Sequence, residues 1–288
     1  VKRGENVVGA ILGDGWYASY VAFTGRRHYY GADTRLLVQV QIEFEDGTRD
    51  VIGTDETWQA AIGPILEADL QMGCVYDARR EFNGWDKSGF DARQWQPAQV
   101  DQGVKVNLLA HPAEPMRRVE EVPSRKITEP KPGVYVFDLG QNMVGWVRLM
   151  AKGKAGQRVV LRHAAMLNPD GTLYTENLRA AKATDTFMLA DGGKRAYEPG
   201  FTFHGFQYVE VTGLDYKPAL SDVTGVVVHS DLARAGSFEC SEPLVNKLAL
   251  NSLWGQKGNF LDVPTDCPQR NERAGWTGDA QVFMKTAC

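Results

Sequence analysis

The sequence predicts a mainly β protein, built as two β-sandwich units in series, that turns helical near its end. Three observations carry this prediction. Short apolar runs separated by Gly, Pro, Asp and Asn recur through the first 230 residues, a polar proline-broken stretch interrupts them, and the periodicity changes at Ser241-Glu242-Pro243.

The clearest strand is Leu36–Phe44, where Leu36, Val38, Val40, Ile42 and Phe44 alternate with polar Gln39, Gln41 and Glu43. That is the period of a half-buried strand, and Asp46-Gly47 after it suits a tight hairpin turn. Runs at Val7–Leu12, Val134–Phe137, Trp146–Ala151, Arg158–Arg162, Tyr208–Thr212 and Gly225–His229 follow the same rhythm, that of antiparallel sandwiches rather than alternating β-α units. Gln94–Arg125, with Pro112, Pro115 and Pro123, reads as a linker, which divides the β part into units 1–98 and 99–234. At Ser241-Glu242-Pro243 an N-cap serine, an acidic residue and a proline open a run with Val245, Leu248, Ala249 and Leu253 at helical spacing. Residues 235–288 are too few to close a helical domain of their own. Asp279–Cys288 reads as a helix without a stop signal, so truncation at the C-terminus is expected.

Bulk properties exclude several classes. In 288 residues, 32 Lys and Arg face 36 Asp and Glu, and no basic run is present to neutralise a row of phosphates, so a nucleic-acid partner is not expected. Cys74, Cys240, Cys267 and Cys288 stand far apart, without the spacing of a disulfide framework or a zinc site; reduced, mostly buried thiols are the expectation. No apolar stretch is long enough to cross a bilayer and no signal-type segment follows Val1, so no membrane partner is expected. The compartment stays open, with the cytoplasm slightly favoured over secretion.

The densest polar cluster runs from Val263 to Asp279 and holds Asp266, Glu272, Asp279, Arg270, Arg273 and Trp276. A helix from Glu272 onward would set Glu272, Trp276 and Asp279 on one face as i, i+4 and i+7, although Gly275 and Gly278 oppose it. Two readings fit these residue types. In one, a protonated carboxyl, hydroxyl-binding carboxylates and an aromatic face form a sugar-cleaving site. In the other, the arginines pair with the carboxylates at a helix N-terminus and Trp276 is core.

The string Asp266-Cys-Pro-Gln-Arg-Asn-Glu272-Arg-Ala-Gly-Trp276-Thr-Gly-Asp279-Ala-Gln281 closely resembles the catalytic-domain signature of bacterial α-L-rhamnosidases, family 78 of the glycoside hydrolases. Phe137–Trp146, Leu167–Asn177 and Phe201–Glu210 are similar to that family's second β-sandwich, and Gly4–Tyr17 to the middle of its N-terminal jelly-roll domain. The resemblance implies a partial jelly-roll-like domain over 1–98, a β-sandwich over 99–234, and the first helices of a truncated (α/α)6 barrel over 235–288. It implies Glu272 as general acid and Asp266, Arg270, Trp276 and Asp279 as rhamnose-binding residues, with the carboxylates holding up the acid's pKa. It further implies rhamnose-containing glycosides or polysaccharides as substrates, inversion, no metal and no cofactor. Asn271 departs from the family's usual Asp beside the acid. No Glu follows Glu272, so the general base and the remainder of the catalytic domain are expected beyond residue 288 and the isolated chain is expected to be inactive. A non-catalytic carbohydrate-binding β-sandwich, or a helical-barrel hydrolase of another sugar, are the alternatives.

Other features have plainer readings. His204 is expected to be a hydrogen-bonded packing residue, and Trp16, Tyr17, Trp58, Trp85 and Trp146 mostly core. Asp138, Asp170 and Asp185 lack calcium-loop spacing and suit turns. Gly9–Gly15 lacks the ending of a phosphate-binding loop.

Overall fold

The computed structural model describes residues 2–287, and its organising element is the 18-residue strand Val134–Ala151. Val, Tyr, Phe, Leu and Met dominate this segment and suit a pleated surface packed on one face. The strand changes partners along its length. Its first part pairs with Lys126–Lys131 and with the end of His204–Thr212, and its last part with Val223–Ser230 and Arg195–Tyr197. Gly140, at φ +68°, takes the bend between the two parts, and the Asp138 carboxylate accepts its N–H at 2.7 Å.

The ten-stranded sheet runs in the order Ile65–Asp69, Gly73–Asp77, Thr184–Met188, Arg158–Ala164, His204–Thr212, Val134–Ala151, Val223–Ser230, Met116–Pro123. Neighbours are antiparallel except Gly73–Asp77 against Thr184–Met188. Residues on both sides of position 98 therefore share one sheet. Its core is Phe137, Leu139, Val147, Leu149, Leu161, Phe187, Phe206 and Val211, all without solvent contact. Each such side chain contributes about 1.5–3 kcal/mol on burial, which makes this the rigid body of the molecule.

A polar cluster interrupts the packing. His163, Asp185 and His204 are buried, with His204 Nε2 3.1 Å from Asp185 Oδ1 and the two imidazoles stacked at 4.2 Å. The same Asp185 oxygen accepts the Cys74 N–H at 2.9 Å, which ties the parallel strand pair together. Burial pushes His163 down to about 3, so it stays neutral, with Nδ1 3.0 Å from the Ala183 carbonyl. His204 is thus a hydrogen-bonded interior residue. Asp185 lies in a strand rather than a turn, because a buried partner satisfies it better than a local N–H. Asp138 also lies in a strand, whereas Asp170 does cap a turn through Thr172.

Several expectations meet a different structure. Val7–Leu12 forms no strand, since no neighbouring backbone offers it a ladder. The linker expected over Gln94–Arg125 is irregular from 98 to 115 and then becomes the strand Met116–Pro123, paired with Val223–Ser230. Strand Gln39–Glu43 pairs with Arg49–Gly53 as expected, and Gly47 at φ +81° completes the turn. None of Trp16, Tyr17, Trp58, Trp85 and Trp146 is fully buried; Trp146 instead donates to Glu198 at 2.9 Å.

The chain turns helical at Pro243–Asn259, with Pro243 in the first turn and Glu242, rather than Ser241, capping the Leu244 N–H. The face carrying Val245 and Leu248 is exposed, at 41% and 64%. The helix is seated by its other end, where Trp254 packs on the sheet's core and Gly258 approaches Val144. A second helix, Thr277–Ala287, follows the loop that carries the polar cluster.

Candidate active site

The loop between the helices is held by backbone groups from four distant segments. Ala22 donates its N–H to the Glu272 carbonyl at 2.9 Å, and the Leu178 carbonyl accepts the Asn271 N–H at 3.3 Å. Arg273, 1% exposed, sends its guanidinium into the β body, donating to the carbonyls of Leu70 and, at 2.8 Å, Phe203. It also binds the Gln269 and Arg270 carbonyls at 3.3 and 3.1 Å and lies over the Phe203 ring at 4.9 Å. Among the described residues Arg273 meets no carboxylate within ion-pair distance; its partners are carbonyl oxygens, which fix the loop directionally. Burial pushes its guanidinium down to about 10, still protonated at neutral pH.

Glu272 and Arg273 have φ of +140° and +56°, so the helix expected from Glu272 does not form and helical geometry begins at Thr277. A non-glycine residue in that region costs on the order of 1–3 kcal/mol, which the anchors around it offset. Within the loop, Asp266 Oδ1 accepts the Ala274 N–H at 2.8 Å and the Asp266 N–H reaches the Ala274 carbonyl at 3.0 Å. This closes the loop on itself and leaves the Glu272 side chain largely shielded, 14% exposed.

Four of the five sequence-derived site residues meet there. Trp276 Nε1 donates to Glu272 Oε1 at 3.0 Å, and an Arg270 nitrogen lies 3.1 Å from Glu272 Oε2 and 3.2 Å from Asp266 Oδ2. The i, i+4 relation of Glu272 and Trp276 is met by a turn instead of a helix. The groups that touch Glu272 are guanidinium nitrogens and an N–H; of the two aspartates expected beside it, Asp266 brings an oxygen within 4.8 Å and Asp279 does not. Ligand-type atoms of Asp266, Cys267 and Glu272 lie within 4.8 Å of one another. Arg270 already fills the space between them, since its Nε donates to Cys267 Sγ at 3.2 Å while its terminal nitrogen serves both carboxylates. The place a metal cation would take holds a guanidinium.

Asp279 stands apart, in the first turn of Thr277–Ala287. With Asp266 it borders a cavity of about 460 Å³ between the two helices, walled by Phe260, Phe283 and Met284; Glu272, Arg270 and Trp276 do not line that cavity. Sequence reasoning missed Arg179, whose guanidinium lies 3.5 Å from Glu272 Oε2, and it missed the anchoring role of Arg273. Both depend on contacts between segments far apart in the chain, and neither has a local signal.

Three family models match successive parts of the chain. Residues 1–120 match the family model of the α-L-rhamnosidase N-terminal domain, 128–229 that of the bacterial α-L-rhamnosidase concanavalin-like domain, and 233–288 that of its six-hairpin glycosidase domain. An α-L-rhamnosidase of Streptomyces avermitilis is 52% identical over 288 residues, and one of Formosa agariphila 40% identical over 296. Both alignments take in 100% of this chain but 28% and 31% of those proteins, so the chain spans under a third of the length of these relatives. The crystal structure of the Streptomyces avermitilis α-L-rhamnosidase complexed with L-rhamnose superposes with a TM-score of 0.92 at 53% identity, covering 95% of this chain and 27% of that one. That of the native Aspergillus terreus enzyme gives 0.88 at 40% identity, covering 96% and 32%.

Proposed function

We propose, from the premise that this chain belongs to the bacterial α-L-rhamnosidase family, that it supplies the proton-donating half of a site that hydrolyses terminal α-L-rhamnosides. The observation that carries the proposal is the placement of Glu272. It stands on a strained loop clamped to the sheet, with its carboxyl held between Trp276 and Arg270. Energy held in such a backbone is characteristic of groups posed for chemistry.

In this reading Glu272 gives its proton to the glycosidic oxygen as the bond to the anomeric carbon breaks, and the bonding pair leaves with that oxygen. Water attacks the opposite face of the sugar, and its proton passes to a base carboxylate roughly 6.5–9.5 Å from the acid, with inversion. Asp266 is not that base, because its carboxylate comes within 4.8 Å of Glu272, too near to leave room for the attacking water. No Glu follows Glu272 in the sequence, so we place the base outside these 288 residues and expect the chain alone to be inactive. Asp266, Arg270, Trp276 and Asp279 bind the rhamnose. Trp276 offers an indole face to the apolar side of the ring, and Arg270 and the aspartates bind its hydroxyls.

The test uses the protein expressed from its entire reading frame, with p-nitrophenyl α-L-rhamnoside as substrate. Release of p-nitrophenol, lost by a factor of about 100 or more in Glu272→Gln, is the expected result. Hydrolysis confined to another glycoside would move the reading to a different sugar. Turnover by residues 1–288 alone at an ordinary enzymatic rate would refute the placement of the base.

A further inference from the structure

Arg179 belongs to the β body, yet its guanidinium reaches the carboxyl of Glu272. We propose that Arg179 is a positioning residue for this acid, fixing one carboxyl oxygen so that the other delivers the proton. The inference rests on the reading of Glu272 given above.

Arg179 follows the short 3-10 turn Glu176–Leu178 and adopts φ +56°, ψ −116°, a conformation that a residue with a Cβ avoids. The segment is held there from both sides. The Arg179 N–H donates to the Glu176 carbonyl at 3.2 Å, and the adjoining Leu178 carbonyl accepts the Asn271 N–H at 3.3 Å, one residue before Glu272. The strained turn and the acid's loop are therefore joined through neighbouring backbone groups.

The side chains complete the arrangement. Arg179 Nη1 lies 3.5 Å from Glu272 Oε2, and Glu272 is its ion-pair partner among the described residues. Arg270 approaches the same Oε2 at 3.1 Å from the other structural unit. Oε1 is bound instead by the Trp276 indole alone, at 3.0 Å. Two guanidiniums thus hold Oε2, one from the signature loop and one from the sheet. Oε1 is left to a single neutral donor on a half-exposed side chain that can give way to a glycosidic oxygen. Arg179 is itself half exposed, 52% for its side chain, so it pins the carboxyl from the solvent side, where the departing group would leave.

A residue that aligns the acid affects substrates according to how much protonation they need. A p-nitrophenolate draws on less protonation than an alkoxide, which requires the proton fully placed in the transition state. In the protein from the entire reading frame, Arg179→Gln should lower kcat on an alkyl α-L-rhamnoside about 10-fold and on the p-nitrophenyl rhamnoside less than about 3-fold. Arg179→Lys, which keeps the charge, should recover most of the loss, and neither variant should lower Tm. Equal losses on both substrates, or no loss on either, would overturn the proposal. If Arg179→Gln were to lower Tm, the leaving-group comparison in Arg179→Lys would decide: a larger loss on the alkyl substrate upholds the role and equal losses overturn it. Glu272→Gln, assayed alongside, keeps the two claims apart. Full activity there removes the acid assignment itself, whereas an inactive Glu272→Gln beside an unimpaired Arg179→Gln removes only the role of Arg179.

Discussion

Replacing Arg273 by methionine keeps the length and the contact with Phe203 but removes the donors that hold the acid's loop to the sheet. Four carbonyls lose a charged partner: Leu70, Phe203, Gln269 and Arg270. At about 1.5–3 kcal/mol for each bond to a charged group the gross loss would be about 6–12 kcal/mol. Two corrections reduce it. The contacts to Gln269 and Arg270, at 3.3 and 3.1 Å, belong to the mobile side of the joint and can find water. The guanidinium, almost wholly desolvated, also no longer has to be buried, which returns several kcal/mol. What remains are the buried Leu70 and Phe203 carbonyls at about 1–2 kcal/mol each, for a net loss of about 2–4 kcal/mol. An apparent Tm about 4–10 °C lower in a thermal melt followed by circular dichroism is the expected signal. Because Arg273 is one of the anchors that enforce φ at Glu272 and at Arg273 itself, kcat at 25 °C should also fall about 10-fold or more with the protein still folded. A Tm change under about 1 °C together with an unchanged kcat would refute the view that these carbonyl contacts hold the loop.

Gly205→Ala tests the spacing between sheet and loop: a Cβ there would stand 2.9 Å from Pro268 Cγ and 3.1 Å from Gln269 Cβ, so a loss of about 1–3 kcal/mol and a slower enzyme are expected. An unchanged melting curve and rate would show that the loop does not depend on close approach to that strand. For His163, burial holds the folded-state value near 3 against an ordinary 6.5, so the unfolded chain takes up the proton first as the pH falls. Stability of on the order of 5 kcal/mol is present above about pH 6.5 and is lost progressively down to about pH 3. Tm measured against pH should fall less steeply over this window in His163→Gln, and parallel profiles would contradict the assignment.

What the sequence made legible was whatever repeats locally. The apolar runs read at Arg158–Arg162 and Tyr208–Thr212 fall within real strands, Arg158–Ala164 and His204–Thr212, because a side chain's face in a sheet depends on its neighbours two positions away. Val7–Leu12 has similar composition and no strand, since composition does not say whether a partner edge exists. The helix expected through Glu272, Trp276 and Asp279 failed for a related reason. Spacing brought Glu272 and Trp276 together correctly, but the turn that does so is imposed by Ala22, Leu178 and Arg273, all acting from outside the segment or into distant carbonyls. Arg273 was visible as a charge; that its partner at Leu70 lies 203 positions earlier was not. The resemblance of the Asp266–Gln281 string to a known signature supplied the chemistry, and no periodicity could have supplied Arg179.

The anchoring of the acid's loop has a bearing on modularity. Its contacts at Ala22, Leu70, Leu178 and Phe203 come from the part of the chain that matches the N-terminal and concanavalin-like domain models. A recombination break anywhere between positions 231 and 264 would part each of those groups from the residue it restrains. The β portion and the first helices are therefore one inheritable piece, and grafting the helical portion onto a foreign sandwich would transfer the glutamate without the framework that aims it.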